Sequence, residues 1–268
     1  MLNYENKNFL SLNELKETVP TIFTKTGSPE VTSKYSHIPT DKVIGDMELL
    51  GWKVVDAKQV NSRSKNSGYQ KHLVVFRNND VVIEGKDNDV VYPQILMTNS
   101  HDGKSCFSFQ AGLFRMICEN GLVISTKQFE KFRIRHMGYD FETLQGVIKN
   151  VISNLDLTVE SMNKMKQVQL SEEQTLDFAK KLLETRVGGS NNTFDEQAIN
   201  QVLETQRSQD SGNGLWEVFN RVQENIVEGN FKYMTRNGKR RYARPIKNFR
   251  QDMKVNADMY ETALTYVA

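Results

Sequence analysis

Apolar residues change their spacing once along this chain, and the change divides it. Between Trp52 and Phe109 they fall in short runs: Trp52, Val54, Val55 and Ala57, then His72-Leu73-Val74-Val75-Phe76, Asp80-Val81-Val82-Ile83, Val90 to Met97 and Lys104 to Phe109. Runs of this length, rich in β-branched residues and bounded by Asn, Asp and Gly, predict an antiparallel sheet. From Phe141 the step becomes three or four. Phe141, Leu144, Ile148, Val151, Leu155, Val159 and Met162 make one stripe on a long helix.

Local signals place the other elements. Ser11 and Glu14 have capping-box spacing ahead of a short helix that Pro20 ends. Thr40 reads as the N-cap of a helix stopped by Gly51, and Ala111 to Glu119 as a helix terminated by Gly121, with Leu122 to Ser125 and Lys131 to His136 returning to strand. Ser171 with Gln174, and Thr193 with Glu196, predict two more capping boxes on either side of a linker, Val187 to Asn192. Asn213 or Ser211 can cap a helix bearing Leu215, Trp216, Phe219, Val222 and Ile226 that Gly229 closes, and Pro245 suits the first turn of the last helix. Strands first and helices after imply an α+β fold, an antiparallel sheet in the N-terminal half covered by helices from the C-terminal half. On this reading residues 1–39 are an N-terminal extension and 40–268 a single domain, sheet-rich over 40–140 and helical over 141–268.

Composition narrows the class. With 268 residues, 38% apolar and 25% charged, the chain reads as an ordinary globular protein. It has no apolar run near the roughly 20 residues of a membrane span and no apolar stretch after Met1 of the secretory kind, so a cytoplasmic protein without membrane contact is expected. Cys106 and Cys118, both in apolar settings and without a Cys-x-x-Cys pair, read as reduced thiols.

Charge changes the picture more. Residues 231–268 hold nine Lys or Arg against three acids, a net +6, while the other residues carry 26 basic and 30 acidic side chains, a net −4. Arg236, Lys239, Arg240, Arg241 and Arg244 crowd a possible hairpin around Asn237-Gly238, and Lys247, Arg250 and Lys254 share a helical face. Phe231, Tyr233, Tyr242 and Phe249 are interleaved, so phosphate contacts and base stacking on Tyr233, Tyr242 or Phe249 are both within reach. A solvated face over core aromatics would give the same string. A second basic stretch alternates Lys131, Arg133 and Arg135 with Phe132 and Ile134, giving one cationic strand face that an edge strand blunted by charge would also show.

The remaining candidate chemistry lies in Asn99-Ser100-His101-Asp102-Gly103. His101 and Asp102 invite acid-base work, with Arg115, Glu119 and Asn120 nearby in sequence, but a turn explains the same residues: Asn and Asp bond their own backbone and Gly103 supplies a positive φ. No nucleophile elbow, phosphate loop, dinucleotide fingerprint or metalloprotease helix occurs. His72, His101 and His136 never fall at ligand spacing, and Glu84, Asp87, Asp89, Asp102 and Glu119 are a scattered supply for a two-metal site. No metal or cofactor is expected.

Several motifs in order resemble a known family. Asn99 to Gly103, Ala111 to Arg115, Cys118 to Leu122, Arg135 to Gly138, Leu215-Trp216, Phe219 to Asn225 with Gly229, and Arg244 to Lys247 together resemble the phage- and plasmid-encoded family of unknown function numbered 932, over residues 40–268. That resemblance implies a cytoplasmic mobile-element protein in a bacterial host, often encoded among replication and recombination functions. It makes Asn99, His101, Asp102, Arg115, Asn120, Arg135 and His136 candidates for one shared site. The expectation is a phage or plasmid protein that binds DNA, single-stranded by preference, to assist recombination, annealing or replication without turnover. Two rivals remain open: an anti-defence or host-takeover factor holding a bacterial protein or small nucleotide in the Asn99 to Asn120 cluster, and a metal-dependent nuclease at His101 and Asp102. A homo-oligomer built on the long helix is also open.

Overall fold

The computed structural model describes residues 9–60, 68–81, 83–84, 90–115, 121–124, 133–134, 140–188 and 192–267. They form two compact units, residues 2–155 and 156–268. The first carries the sheet, the second is mostly helical, and the fold is α+β.

In the first unit the strands are β1 (Lys53–Gln59), β2 (His72–Arg77), β3 (Ile83–Glu84), β4 (Val90–Asn99), β5 (Phe107–Arg115), β6 (Gly121–Ile124) and β7 (Arg133–Ile134). The order is β1-β2-β4-β5-β6, with β3 on β4 and β7 on β5, and every pairing is antiparallel. β2 lies between β1 and β4, and Leu73, Val74, Val75 and Phe76 are all fully buried, so it needs apolar residues at successive positions and not at alternate ones. The segment before the sheet belongs to the same unit. A capping box between Ser11 and Glu14 starts α1 (Leu12–Thr18), Leu15, Val19, Ile22 and Ile38 are buried, and the Leu10 amide donates to the Val54 carbonyl at 2.8 Å.

Two expectations fail here for identifiable reasons. Residues 111–115 are strand and not helix: β5 pairs with β4 from Val91↔Arg115 to Thr98↔Ser108, and a ladder of that length outweighs the helical spacing of Leu113 and Phe114. Thr40 does not cap α2 (Thr40–Leu49). Pro39 occupies the cap position, and the Thr40 hydroxyl is committed to His72 and Asn99 instead.

The helices that follow are α3 (Phe141–Gln167), within which the division between the units falls, α4 (Glu172–Val187), α5 (Glu196–Val202), α6 (Leu215–Glu228) and α7 (Phe249–Leu264). The Ser171–Gln174 capping box starts α4 as expected. Thr193 does not start α5. Asp195 caps it, accepting from the Ala198 amide at 3.1 Å, while Thr193 forms a β-bridge with Met234. α6 begins at Gly214 without a side-chain cap, and α7 begins four residues after Pro245, where Asn248 accepts from the Gln251 amide.

α6 is buried around its whole circumference, so its polar residues must be satisfied internally. The Arg221 guanidinium donates to the Asp210 and Gly212 carbonyls, each at 3.0 Å. Arg207 pairs with Glu224 at 3.1 Å, Gln223 donates to Asn256 at 2.8 Å, and Asn225 donates to the Val202 and Glu204 carbonyls. The Phe219 to Asn225 motif is therefore internal scaffolding. Among the described residues no helix is long and apolar enough to cross a membrane.

Candidate nucleic-acid interface

Two regions hold the residues singled out in the sequence, one in each unit. In the first, β4 ends at Asn99 and the chain turns through His101, Asp102 and Gly103, whose φ of +71° confirms a left-handed residue there. The Asp102 carboxylate accepts from the Lys104 amide at 2.9 Å, as a turn former does. Asn99, Ser100 and His101 are fully buried. The Asn99 amide donates to the Ile38 carbonyl (3.1 Å) and the Thr40 hydroxyl (2.9 Å), and its oxygen accepts from the Ser100 amide (2.8 Å).

These bonds settle the tautomer of His72. With Thr40 Oγ1 accepting from Asn99, its own proton is left for His72 Nε2 at 2.8 Å, so His72 carries its hydrogen on Nδ1 and donates it to the Gln70 carbonyl at 3.2 Å. Burial pushes the His72 pKa down to about 4, against the pull of that carbonyl. The His101 ring lies between two others, its centroid 4.6 Å from His37 and 5.1 Å from His72. Burial also lowers His37, against its bond to the Thr24 carbonyl. His72 is thus a neutral imidazole closed off from solvent, unsuited to holding phosphate.

His37 was not legible as a partner. It lies 35 residues before His72, and only the fold of the segment ahead of α2 delivers it. Of the other polar-motif residues, Arg115 ends β5, and Asn120 and His136 lie outside the described residues, as do Glu119, Lys131 and Arg135. Arg133 is placed in β7 by its backbone. Among the described residues no group of three or more His, Cys, Asp or Glu is arranged to hold a metal ion.

The second region is a hairpin, β8 (Lys232–Met234) and β9 (Arg240–Tyr242), paired Lys232↔Tyr242, Tyr233↔Arg241 and Met234↔Arg240. A three-residue turn, Arg236-Asn237-Gly238, closes it: the Thr235 amide donates to the Lys239 carbonyl (2.9 Å), the Gly238 amide donates to the Thr235 carbonyl (2.8 Å), and Gly238 has φ +70°. The hairpin is well anchored. Thr193 exchanges two backbone bonds with Met234, at 2.8 and 2.9 Å, and Gln201 accepts from the Lys232 amide at 2.8 Å. At the base, Gly229 (φ +79°) leaves α6 so close to the returning chain that a Cβ there would meet the backbone carbons of Ala243 and Arg244 at 2.8 Å. The Arg186 guanidinium ties both sides together, donating to the Ile226, Val227 and Arg244 carbonyls. Burial lowers its pKa, and the neighbouring Tyr233, Asp252 and Glu228 oppose the shift.

On this frame Arg236, Lys239, Arg240, Arg241, Arg244 and Lys247 are all exposed. Arg240 pairs with Asp195 and Lys254 with Asp258. Arg236, Lys239, Arg241, Arg244 and Lys247 have no carboxylate partner among the described residues. Tyr242 is exposed, Tyr233 half-buried and Phe249 buried, so the structure removes Phe249 as a stacking residue. It also separates Lys247 from the helical face expected for it, because α7 starts two residues later; Lys254 lies on α7, and Arg250 is placed there by its backbone.

The family described as "Domain of unknown function (DUF932)" matches residues 29–259. This chain belongs to that family. Its similarity extends to two Escherichia coli (strain K12) proteins, "UPF0380 protein YafZ", 28% identical over 256 residues (95% of this chain and 90% of the relative), and "UPF0380 protein YfjQ", 28% identical over 261 residues (96% and 92%). No solved structure matches the chain. The DUF932 match begins within the segment ahead of α2, before the start at residue 40 expected from the sequence, in line with the burial of Ile38 and the bonding of Asn99 to it.

Proposed function

We propose that this chain binds DNA without chemical turnover, through the β8–β9 hairpin and the Arg244 to Lys247 segment that follows, in support of recombination, annealing or replication. One observation carries the reading: five exposed cations without carboxylate partners among the described residues, set on or just after a hairpin held by Gly229, Arg186, Gln201 and Thr193. A flexible basic tail would gain solubility from the same charges. Anchoring adds a fixed array, which suits a partner whose charges are themselves regularly spaced. Each phosphate neutralised releases condensed counterions, so binding free energy accumulates with each lysine or arginine engaged. The bacterial cytoplasm is the setting this reading requires.

The test is charge reversal. Replacing Arg240, Arg241 and Arg244 together by Glu should lower oligonucleotide affinity by at least about a hundredfold, since three attractions become three repulsions. The thermal melt should stay close to that of the parent protein, because all three side chains are exposed. Equal affinity for parent and triple variant would reject the hairpin as the contact.

A further inference from the structure

Cations on a hairpin account for phosphate contacts in a duplex or a single strand alike; the packing on one hairpin face separates the two. The hydrogen-bonded pairs are Phe231 with Ala243, Tyr233 with Arg241 and Thr235 with Lys239, which makes Lys232↔Tyr242 a non-hydrogen-bonded pair, the kind whose side chains approach most closely. Lys232 Nζ accordingly lies 4.6 Å from the centre of the Tyr242 ring. The lysine covers one face of the phenol, yet Tyr242 remains 66% exposed, so its other face is open to solvent. Tyr233 belongs to the opposite hairpin face, within electrostatic reach of Arg186.

Alternation puts Arg240 on the same face as Tyr242, about 7 Å along the strand. The same pairing turns the Arg240 and Tyr242 amides away from β8, toward the outer edge of β9. The result is an aromatic plane with a cation beneath it, an arginine beside it and two backbone donors along its margin. In duplex DNA the base faces are covered by neighbouring bases, and such a plane has nothing to stack on. An unpaired base offers a face of matching size whatever its sequence.

We propose that the hairpin takes a single-stranded nucleic acid, with one base stacked on the outer face of Tyr242 and the flanking phosphates on Arg240 and Arg244. This rests on the reading of the hairpin as the DNA contact. The lysine beneath the ring adds a cation–π attraction that holds the plane in position before the strand arrives. Specificity for strand form then comes from one residue, and overall affinity from the surrounding charges.

The test uses the full chain with a fluorescein-labelled dT20, an rU20 of equal length and a 20-base-pair duplex, read by anisotropy at one salt concentration. Either single strand should bind at least about tenfold tighter than the duplex, and the ratio of dT20 to rU20 assigns the sugar. Tyr242→Ala should weaken single-strand binding by about five- to a hundredfold while leaving the duplex nearly unchanged, and Tyr242→Phe, which keeps the ring, should bind as the parent does. Equal binding of single strand and duplex, with Tyr242→Ala silent, overturns the proposal. If the triple Glu variant still abolishes binding in that case, the hairpin remains the DNA contact and only the stacking platform fails. If the triple variant is silent as well, both readings fall.

Discussion

The polar turn after β4 and the basic hairpin between α6 and α7 are equally conspicuous as strings of residues, and the structure treats them in opposite ways. Asn99 and His72 are closed off from solvent, and each donor and acceptor is matched within the unit: Asn99 to Ile38, Thr40 and Ser100, His72 to Thr40 and Gln70. Arg236, Lys239, Arg241, Arg244 and Lys247 stand in solvent without a carboxylate among the described residues. A polar group whose bonding capacity is filled contributes stability and has little left to offer a ligand. A charge that the fold leaves exposed and unneutralised keeps its capacity for a partner. The difference between Asn99 and His72 on one side and the hairpin cations on the other is thus one of filled against unfilled capacity; it places the first pair in the architecture of their unit, and the DNA-binding proposal rests on the second set.

The largest effect that separates them is in pH. His72 is neutral in the folded protein with a pKa near 4, whereas an unfolded histidine titrates near 6.5, so below 6.5 the unfolded chain binds the additional proton and stability falls with pH. The contribution is complete above pH 6.5 and is lost progressively toward pH 4, amounting to on the order of 3 kcal/mol. Denaturant titrations at pH 7 and pH 4.5 should differ accordingly. A His72→Gln variant, already destabilised at pH 7, should show a smaller pH-dependent loss; an equal loss in both would detach the effect from His72.

Next in size is Asn99→Ala. Removing the amide leaves the Ile38 carbonyl and the Ser100 amide unpaired inside the unit and takes from the Thr40 hydroxyl the donor it accepts from, at a cost of about 2–4 kcal/mol. DNA affinity measured below the melting temperature should be unchanged. A variant that melts like the parent but fails to bind DNA would reverse the roles given to the two regions.

The smallest effect has the opposite sign. Asp195→Asn keeps an oxygen to cap α5 but releases Arg240 from its ion pair, and should tighten DNA binding by about twofold at low salt, the scale of an exposed pair. Weaker binding would show that the Asp195–Arg240 pair holds the hairpin in its binding form.

Much of the fold was legible where a signal is local. The Ser11–Glu14 and Ser171–Gln174 boxes, the Asn237-Gly238 turn and the long helix from Phe141 each depend on residues close in sequence, and each is present. Non-local pairing decided the rest. Ala111 to Arg115, read as the start of a helix, become strand because β4 pairs with them on one side and β6 with Ala111 to Phe114 on the other. Thr193 and Thr40 have the right chemistry for N-caps, yet Met234 engages the backbone of the first and Asn99 the hydroxyl of the second. The candidate site divided in the same way. The cluster of basic residues was evident from charge alone, but that Phe249 is buried while Tyr242 is exposed depends on where α7 begins, and the meeting of His37 with His101 on how the segment ahead of α2 folds.

The central claim is that the hairpin cations are available to a phosphate chain. It is tested most directly by the salt dependence of binding to labelled dT20. With five to six cations engaged, log K should fall against log salt with a slope of about −3.5 to −4, and the Arg240, Arg241 and Arg244 to Glu variant should lose most of both affinity and slope. A flat dependence, or the same slope in parent and variant, would contradict the account.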